Sequence, residues 1–285
     1  MKSKLLVILF VVTNAAFGQF QERSLTQDQA ILAFNKDSYF SKPLYLIDMP
    51  TASILRGGDI RTSLRLYERG GMLGRLSVGI SSRMMFGVSF GGLNIIGAED
   101  VEWNKTAGIN FSYRLLEETL SIPALVLGVD TQGYGPYWEK IEDDGDQTGA
   151  DGDAEQKMSE RYTNKSKGFY AVVSKGYTSW LKTSLHAGAN LSLEQSDGDK
   201  DPDLFLGLDL LLSRDVAFYC EYDFAINDDQ VRGVNNGKGL LNAGLRWAFS
   251  ESVYIEFNVK DLIAEKTSDG NSSRVMRIAY HGKVY

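Results

Sequence analysis

Four arginines and four carboxylates sit at alternate positions of otherwise apolar segments. Arg61, Arg65, Arg75 and Arg114 lie in the first half of the chain; Asp209, Glu221, Asp223 and Glu256 lie in the second. On a β-strand, residues two apart share a face. Each charge therefore stands opposite a row of Ile, Leu, Val or Phe. If the sheet closes on itself with the charged face inward, the two groups form a basic wall and an acidic wall across one lumen. Opposed walls create a transverse field that orients polar solutes such as sugars or ions. The same charges can instead reach one another, since arginine pairs with carboxylates in bidentate fashion, and then they fill the lumen as a salt-bridge network. Both readings stay open at this stage.

Two further groupings could carry chemistry. Asp144, Asp146 and Glu155 occupy positions 1, 3 and 12 of a calcium-loop template, with Gly149 at position 6. Thr148 stands at position 5, Asp151 replaces the apolar anchor at position 8, and no helical pattern flanks the loop. Asp197, Asp199 and Asp201 make a second acidic cluster. Oxygen-rich loops of this kind either hold calcium weakly or are simply solvated. His186 shares a strand face with Ser184, and His281 lies near the C-terminus. A hydrolase would use Ser184 or another serine as nucleophile and a histidine as base. No nucleophile-elbow motif accompanies them, and a polar lumen accounts for both histidines, so a non-catalytic protein with no cofactor is expected.

What must position these side chains is a series of two-residue alternations beginning near Gly58. The clearest is 105–115, where Ala107, Ile109, Phe111 and Tyr113 oppose Gly108, Asn110, Ser112 and Arg114. Likewise Ile255, Phe257 and Val259 oppose Glu256, Asn258 and Lys260. The pattern predicts about twelve strands, of the length a tilted membrane-spanning strand needs. The long connections 92–104, 132–167, 192–203, 226–239 and 263–273 all follow odd-numbered strands. The short ones, 81–83, 116–123, 176–180, 213–215 and 250–252, follow even ones, and only 68–71 breaks the rule. Short turns on one side and long polar loops on the other predict an all-β, antiparallel transmembrane barrel over 58–285, with periplasmic turns and extracellular loops. Trp103, Trp138, Trp180 and Trp247, with Tyr113, Tyr177 and Tyr222, lie near strand ends, as aromatic girdles require. A secreted, soluble β-sandwich also alternates and is the competing architecture.

The chain has 285 residues, a net charge of -7 and one cysteine, Cys220. One cysteine allows no internal disulfide and no cysteine-based zinc site. The acidic balance disfavours nucleic acid as a partner. Lys2 and Lys4, a short apolar run and Ala16-Phe17-Gly18 predict a signal peptide over residues 1–18, and so delivery to the outer membrane. Residues 19–57 are expected on the periplasmic side or as a plug, with a short amphipathic helix over 27–35 and a short strand over 43–47.

Residues 113–135, running from Tyr113-Arg114-Leu115-Leu116-Glu117-Glu118 through Pro123-Ala124-Leu125-Val126-Leu127-Gly128 to the glycine-bearing loop at Gly133 and Gly135, resemble the YjbH-type exopolysaccharide-biosynthesis family. Pro50-Thr51-Ala52 resembles the Pro-Thr-Ala that opens that family's first barrel segment, and 169–176 resembles the strand after the loop. The resemblance covers roughly residues 49–190. It implies an outer-membrane barrel associated with making or exporting surface polysaccharide, and offers no catalytic residues. The chain is short for that family and lacks a lipobox cysteine. The expected partners are outer-membrane lipid, the barrel-assembly machinery, and polysaccharide or small polar solutes. A general diffusion porin, or a surface-binding barrel with no polysaccharide role, is the alternative.

Overall fold

The computed structural model describes residues 42–138, 160–178, 182–196, 199–228, 239–263 and 273–284. Twelve antiparallel strands form one closed sheet: β1 Asp59–Tyr67, β2 Gly71–Gly79, β3 Met84–Leu93, β4 Gly108–Leu116, β5 Ala124–Asp130, β6 Gly168–Thr178, β7 Lys182–Leu191, β8 Asp203–Leu211, β9 Val216–Asp223, β10 Leu240–Ala248, β11 Val253–Val259 and β12 Arg274–Lys283. Each strand pairs with its neighbours in sequence. β12 returns to β1, with Asp59 opposite Lys283 and Leu66 opposite Met276, which closes the barrel. Closure leaves no strand edge unpaired, the condition for a sheet to stand in lipid.

Burial is inverted relative to a water-soluble barrel. Along β11, Glu256 is 0% exposed and the next residue, Phe257, is 55% exposed. The same opposition holds for Ser89 against Phe90, Arg246 against Trp247 and Arg277 against Ile278. Charged and amide side chains face in, joined by apolar ones such as Met85, Val126, Val172 and Phe205, while the outward face is almost wholly aliphatic and aromatic. In water this arrangement would expose a continuous apolar belt and bury ions at a cost in desolvation. In a bilayer the belt meets lipid. The barrel is therefore of the transmembrane kind, and a soluble sandwich does not describe it. Aromatic pairs mark both rims: Phe90 stacks on Trp103 and Tyr222 meets Phe224 near one, while Trp247 meets Phe249 near the other. Trp180 lies outside the described residues.

The two ends differ as the loop lengths predict. At the turn end, Ser81 closes onto the Met84 carbonyl and Leu212 onto that of Val216. At the loop end, the one short connection is a two-residue turn with φ of 55° at Arg69 and 62° at Gly70. Two successive positive φ values match the twist of a tight hairpin, which is why this connection alone is short. The long loop after β5 is not merely polar coil. Its flanks pair as a two-stranded ribbon, Tyr134–Trp138 with Arg161–Asn164. Trp138 belongs to this ribbon rather than to a girdle.

The lumen is occupied. Residues 42–57 form a strap that enters and leaves at the turn end, where Lys42 pairs with Glu118 at 2.5 Å and Asp59 N–H bonds to the Arg56 carbonyl. Of the segment 19–57, the described residues 42–57 lie inside the lumen. The expected strand over 43–47 is instead one side of a tight turn: Leu46 N–H donates to the Met49 carbonyl and Thr51 N–H to that of Leu44. Pro43 and Pro50 lack donors, so a turn suits this segment better than a ladder. Pro50-Thr51-Ala52 thus lies in the strap and not in a barrel strand. The expected leader and the expected helix over 27–35 fall outside the described residues. Leu44, Met49, Ala52, Ile54 and Leu55 pack on Met85, Ala124, Val126, Tyr170, Val172 and Phe205, while Leu46 packs on Ala217 and Tyr219. The wall makes room for the strap with glycine: a Cβ at Gly207 would meet the Leu46 side chain, and one at Gly79 would meet the Arg56 carbonyl oxygen.

Candidate functional site

The tip of the strap is bound by its backbone. β9 points Glu221 inward, and its carboxylate accepts the N–H groups of Ile47, Asp48 and Met49 at 3.0 Å, with the Asn242 amide at 2.8 Å. Three successive N–H groups curled round one anion form a nest. The carbonyls on the other side of the same turn point to cations. Arg277 donates to the Leu46 and Ile47 carbonyls, and Arg65 donates to that of Ile47 at 2.5 Å. Backbone polar groups withdrawn from water need partners, and ionised partners make the stronger bonds.

The side chain of Asp48 is held separately. Arg65 Nη1 lies 2.5 Å from one oxygen, Lys260 Nζ 2.7 Å from the other, and the Tyr134 hydroxyl 2.9 Å from both. Burial by itself would raise its pKa, but Lys260 and Arg65 outweigh burial and hold the carboxyl well below the usual aspartate range.

The remaining charges pair in short sets. Glu256 lies between Arg246 and Arg277, with the Arg246 Nε and Arg277 Nη1 bonds both 2.7 Å long. The Arg246 guanidinium is 4.4 Å from the ring centroids of both Tyr219 and Tyr254, so it is held by cation–π contact as well. Arg75 reaches Asp130 at 2.7 Å, where the Tyr45 hydroxyl of the strap also donates. Lys167 reaches Asp223 at 3.0 Å. His186 links Asp209, 2.9 Å away, to Ser174, 2.7 Å away, and Ser174 Oγ accepts the Ala52 N–H of the strap at 2.8 Å. Arg61 is buried with a nitrogen 3.5 Å from His281. Arg114 stands apart near the turn end of β4, where its N–H meets the Arg83 carbonyl.

Three expectations change. The basic and acidic walls do not face each other across open lumen, because the strap lies between them and every charge of the two walls except that of Arg114 is met locally or by the strap. The salt-bridge network is the reading the geometry supports. The acidic side is not purely acidic either: Arg246 and Arg277 share it, and Lys167 and Lys260 stand at its outer end. Finally, the serine that meets His186 is Ser174, across the β6–β7 pair, and not Ser184. Ser174, His186 and Asp209 have the order of a nucleophile relay, but the strap backbone occupies the serine and none of the three borders the cavity described next. They anchor Ala52.

Of the calcium candidates, Asp144, Asp146 and Glu155 lie outside the described residues, as does Asp197. Asp199 accepts the Asp201 N–H at 3.1 Å. Among the described residues, no group of three His, Cys, Asp or Glu side chains is placed to hold a metal ion.

Beside the strap a cavity of about 390 Å³ runs from Trp138 and Lys165 at the loop end down to Arg61, Ser77 and Tyr254. Eight of its lining side chains are arginine or lysine and five are aspartate or glutamate. In a chain of net charge -7, this surplus of positive charge is local to the lumen.

No protein-family model matches the chain, and no curated protein matches it. Solved structures similar to it include a KdgM porin (10% identity, TM-score 0.44, covering 80% of this chain and 99% of that one). A NanC porin is similar at 14% identity and TM-score 0.39, with the same coverage. The Acinetobacter baumannii outer membrane protein Omp33 is similar at 6% identity and TM-score 0.41, covering 79% of this chain and 96% of that one.

Proposed function

We propose that the protein is an outer-membrane channel, non-catalytic, whose lumen is narrowed by its own strap and which favours small anionic solutes. The observation that carries this reading is the cavity beside the strap, with its eight cationic and five acidic lining residues. A passage that narrow places any solute within a few ångströms of the wall, where the sign of the wall's charge selects the solute. The inverted burial of the barrel and the expected signal peptide support an outer-membrane address with the turn end periplasmic. The test is conductance in planar bilayers under a KCl gradient. A small conductance with a reversal potential favouring chloride is expected. Absence of conductance both in the wild type and in Glu221→Gln, where the strap is loosened, would overturn it.

A role in surface-polysaccharide export rests on the resemblance of residues 113–135 to the YjbH-type family. Loss of surface polysaccharide on deletion of the gene, restored by the intact chain, is the expected result. Unchanged polysaccharide would remove that role and leave the channel.

A further inference from the structure

We infer that Asp48 occupies a carboxylate-binding site built for a solute, and that a small hydroxylated carboxylate of the acidic-sugar class, arriving from the loop end, displaces the Asp48 side chain and loosens the tip of the strap. The inference rests on the channel reading for its gating consequence, but the site itself is argued from geometry alone.

Three elements converge on the Asp48 carboxylate. β1 supplies Arg65, the ribbon supplies the Tyr134 hydroxyl, and the residue following β11 supplies Lys260, at 2.5, 2.9 and 2.7 Å. The donors are also fixed to one another. The Arg65 guanidinium lies 4.6 Å and the Lys260 ammonium 4.9 Å from the Tyr134 ring centroid, and Lys260 donates to the Tyr134 hydroxyl at 2.7 Å. Take Asp48 away and two cations and a phenol still point at one place. That arrangement suits one carboxylate, and the cations are left without their anion when it is gone.

Nor is the site sealed. Asp48, Arg65, Tyr134 and Lys260 all border the cavity that opens towards Trp138 and Asn164. Among the described residues, these donors can be approached along that cavity from its loop end. The rest of the approach is rich in amides and hydroxyls, which hydrogen-bond a polyol, and Trp138 offers an indole whose Nε1 is fixed to Thr163 Oγ1 at 2.9 Å. An inert plug would need none of this; an apolar tip would fill the space at lower cost in desolvation. A tethered carboxylate behaves as an intramolecular competitor, with an effective concentration set by the strap.

The test is calorimetric titration of glucuronate, with glucose as the neutral control, into the folded barrel in detergent micelles. Folding is confirmed by the heat-dependent gel shift. Asp48→Ala should bind glucuronate about tenfold or more tighter than the wild type, because the competitor is gone. Adding Arg65→Gln should abolish that binding, and glucose should bind neither form. If Asp48→Ala does not fold, Asp48→Asn provides the same comparison with the side-chain volume kept. Equal affinity of wild type and variant, or equal binding of glucose, overturns the inference. In bilayers, glucuronate on the loop side should raise the open fraction of the wild type and change that of the variant, whose strap tip is already loosened, less. Tighter binding without conductance in any form would sink the channel and leave the site standing. Conductance without tighter binding would sink the site and leave the channel.

Discussion

Glu221 holds Asp48 by its backbone: both oxygens of the Glu221 carboxylate lie 3.0 Å from the Asp48 nitrogen. The residue that binds the cations of the lumen is thus itself gripped by the acidic side of the barrel. One turn of chain joins the two halves of the charge pattern.

Removing that grip should release the strap. Glu221→Ala leaves the Ile47, Asp48 and Met49 N–H groups without their anion. Bonds to charged groups are each worth about 1.5–3 kcal/mol. Because water partly replaces the lost acceptor, a loss of about 3 kcal/mol is expected in the urea midpoint of the gel shift. The same variant should show larger and noisier conductance than the wild type. An unchanged midpoint together with unchanged conductance would show that Glu221 does not retain the strap.

The charge triad across β10, β11 and β12 should behave differently. Arg246, Glu256 and Arg277 stand directly opposite one another in the strand register. Glu256→Gln leaves two arginines buried with half their partner. Breaking a buried pair from one side typically costs about 3–5 kcal/mol, measured again as a shift in the urea midpoint. Exchange of all three for methionine should recover only part of that loss: the arginines' desolvation penalty goes with their charge, but the Leu46 and Ile47 carbonyls lose the Arg277 donor. Failure of the triple variant to exceed the single one would mean that the charges act beyond mutual neutralisation.

Much of the barrel was legible because lipid and lumen impose opposite chemistry on successive residues. Glu256 and Phe257 could not both face one medium, so the phase of β11 followed, and the same logic located all twelve strands to within a few residues. The strap was not legible in the same way. Residues 42–57 have no period, and Asp48 is a single charge among apolar neighbours, so its three partners from three distant elements left no local signal. The relation of Arg246 and Arg277 to Glu256 lay in between. Their inward phase was visible, but their meeting depends on strand register, which the turns set only when the barrel closes. Grouping the charges by half of the chain therefore put the arginines of β10 and β12 out of view.

Acid should leave the Asp48 lock in place. The ordinary aspartate value is 3.8, and Lys260 and Arg65 depress that of Asp48 well below it against the pull of burial. A group whose folded pKa is depressed contributes stability that is present above the unfolded value and is lost as pH falls through the folded one. The Asp48 lock is therefore intact from neutral pH down to about the ordinary aspartate range and weakens only below it. Conductance should stay flat between pH 7 and pH 5 as far as this lock governs it. A rise within that interval which is absent in Asp48→Asn would contradict the placement of its charge.

The point at which the strap leaves the barrel can be tested without touching any charge. Gly79 is the inward-facing last residue of β2, and a side chain there would meet the carbonyl oxygen of Arg56, with the Leu55 carbonyl behind it. Both obstacles are backbone, so neither can swing aside as a flexible side chain would. Gly79→Val should force the strap's exit away from β2 while leaving the lipid-facing surface of the barrel unaltered. Overpacking of this kind costs about 1–3 kcal/mol. The barrel should still form, with its heat-dependent gel shift, but the urea midpoint should fall and the strap should become cleavable by a protease added from the turn end. Gly207→Val is the informative comparison, since the added carbon there meets the far end of the Leu46 side chain rather than backbone. Its effect on cleavage should be smaller. Equal protection of the strap in wild type and Gly79→Val would show that residues 55–57 do not pass against β2.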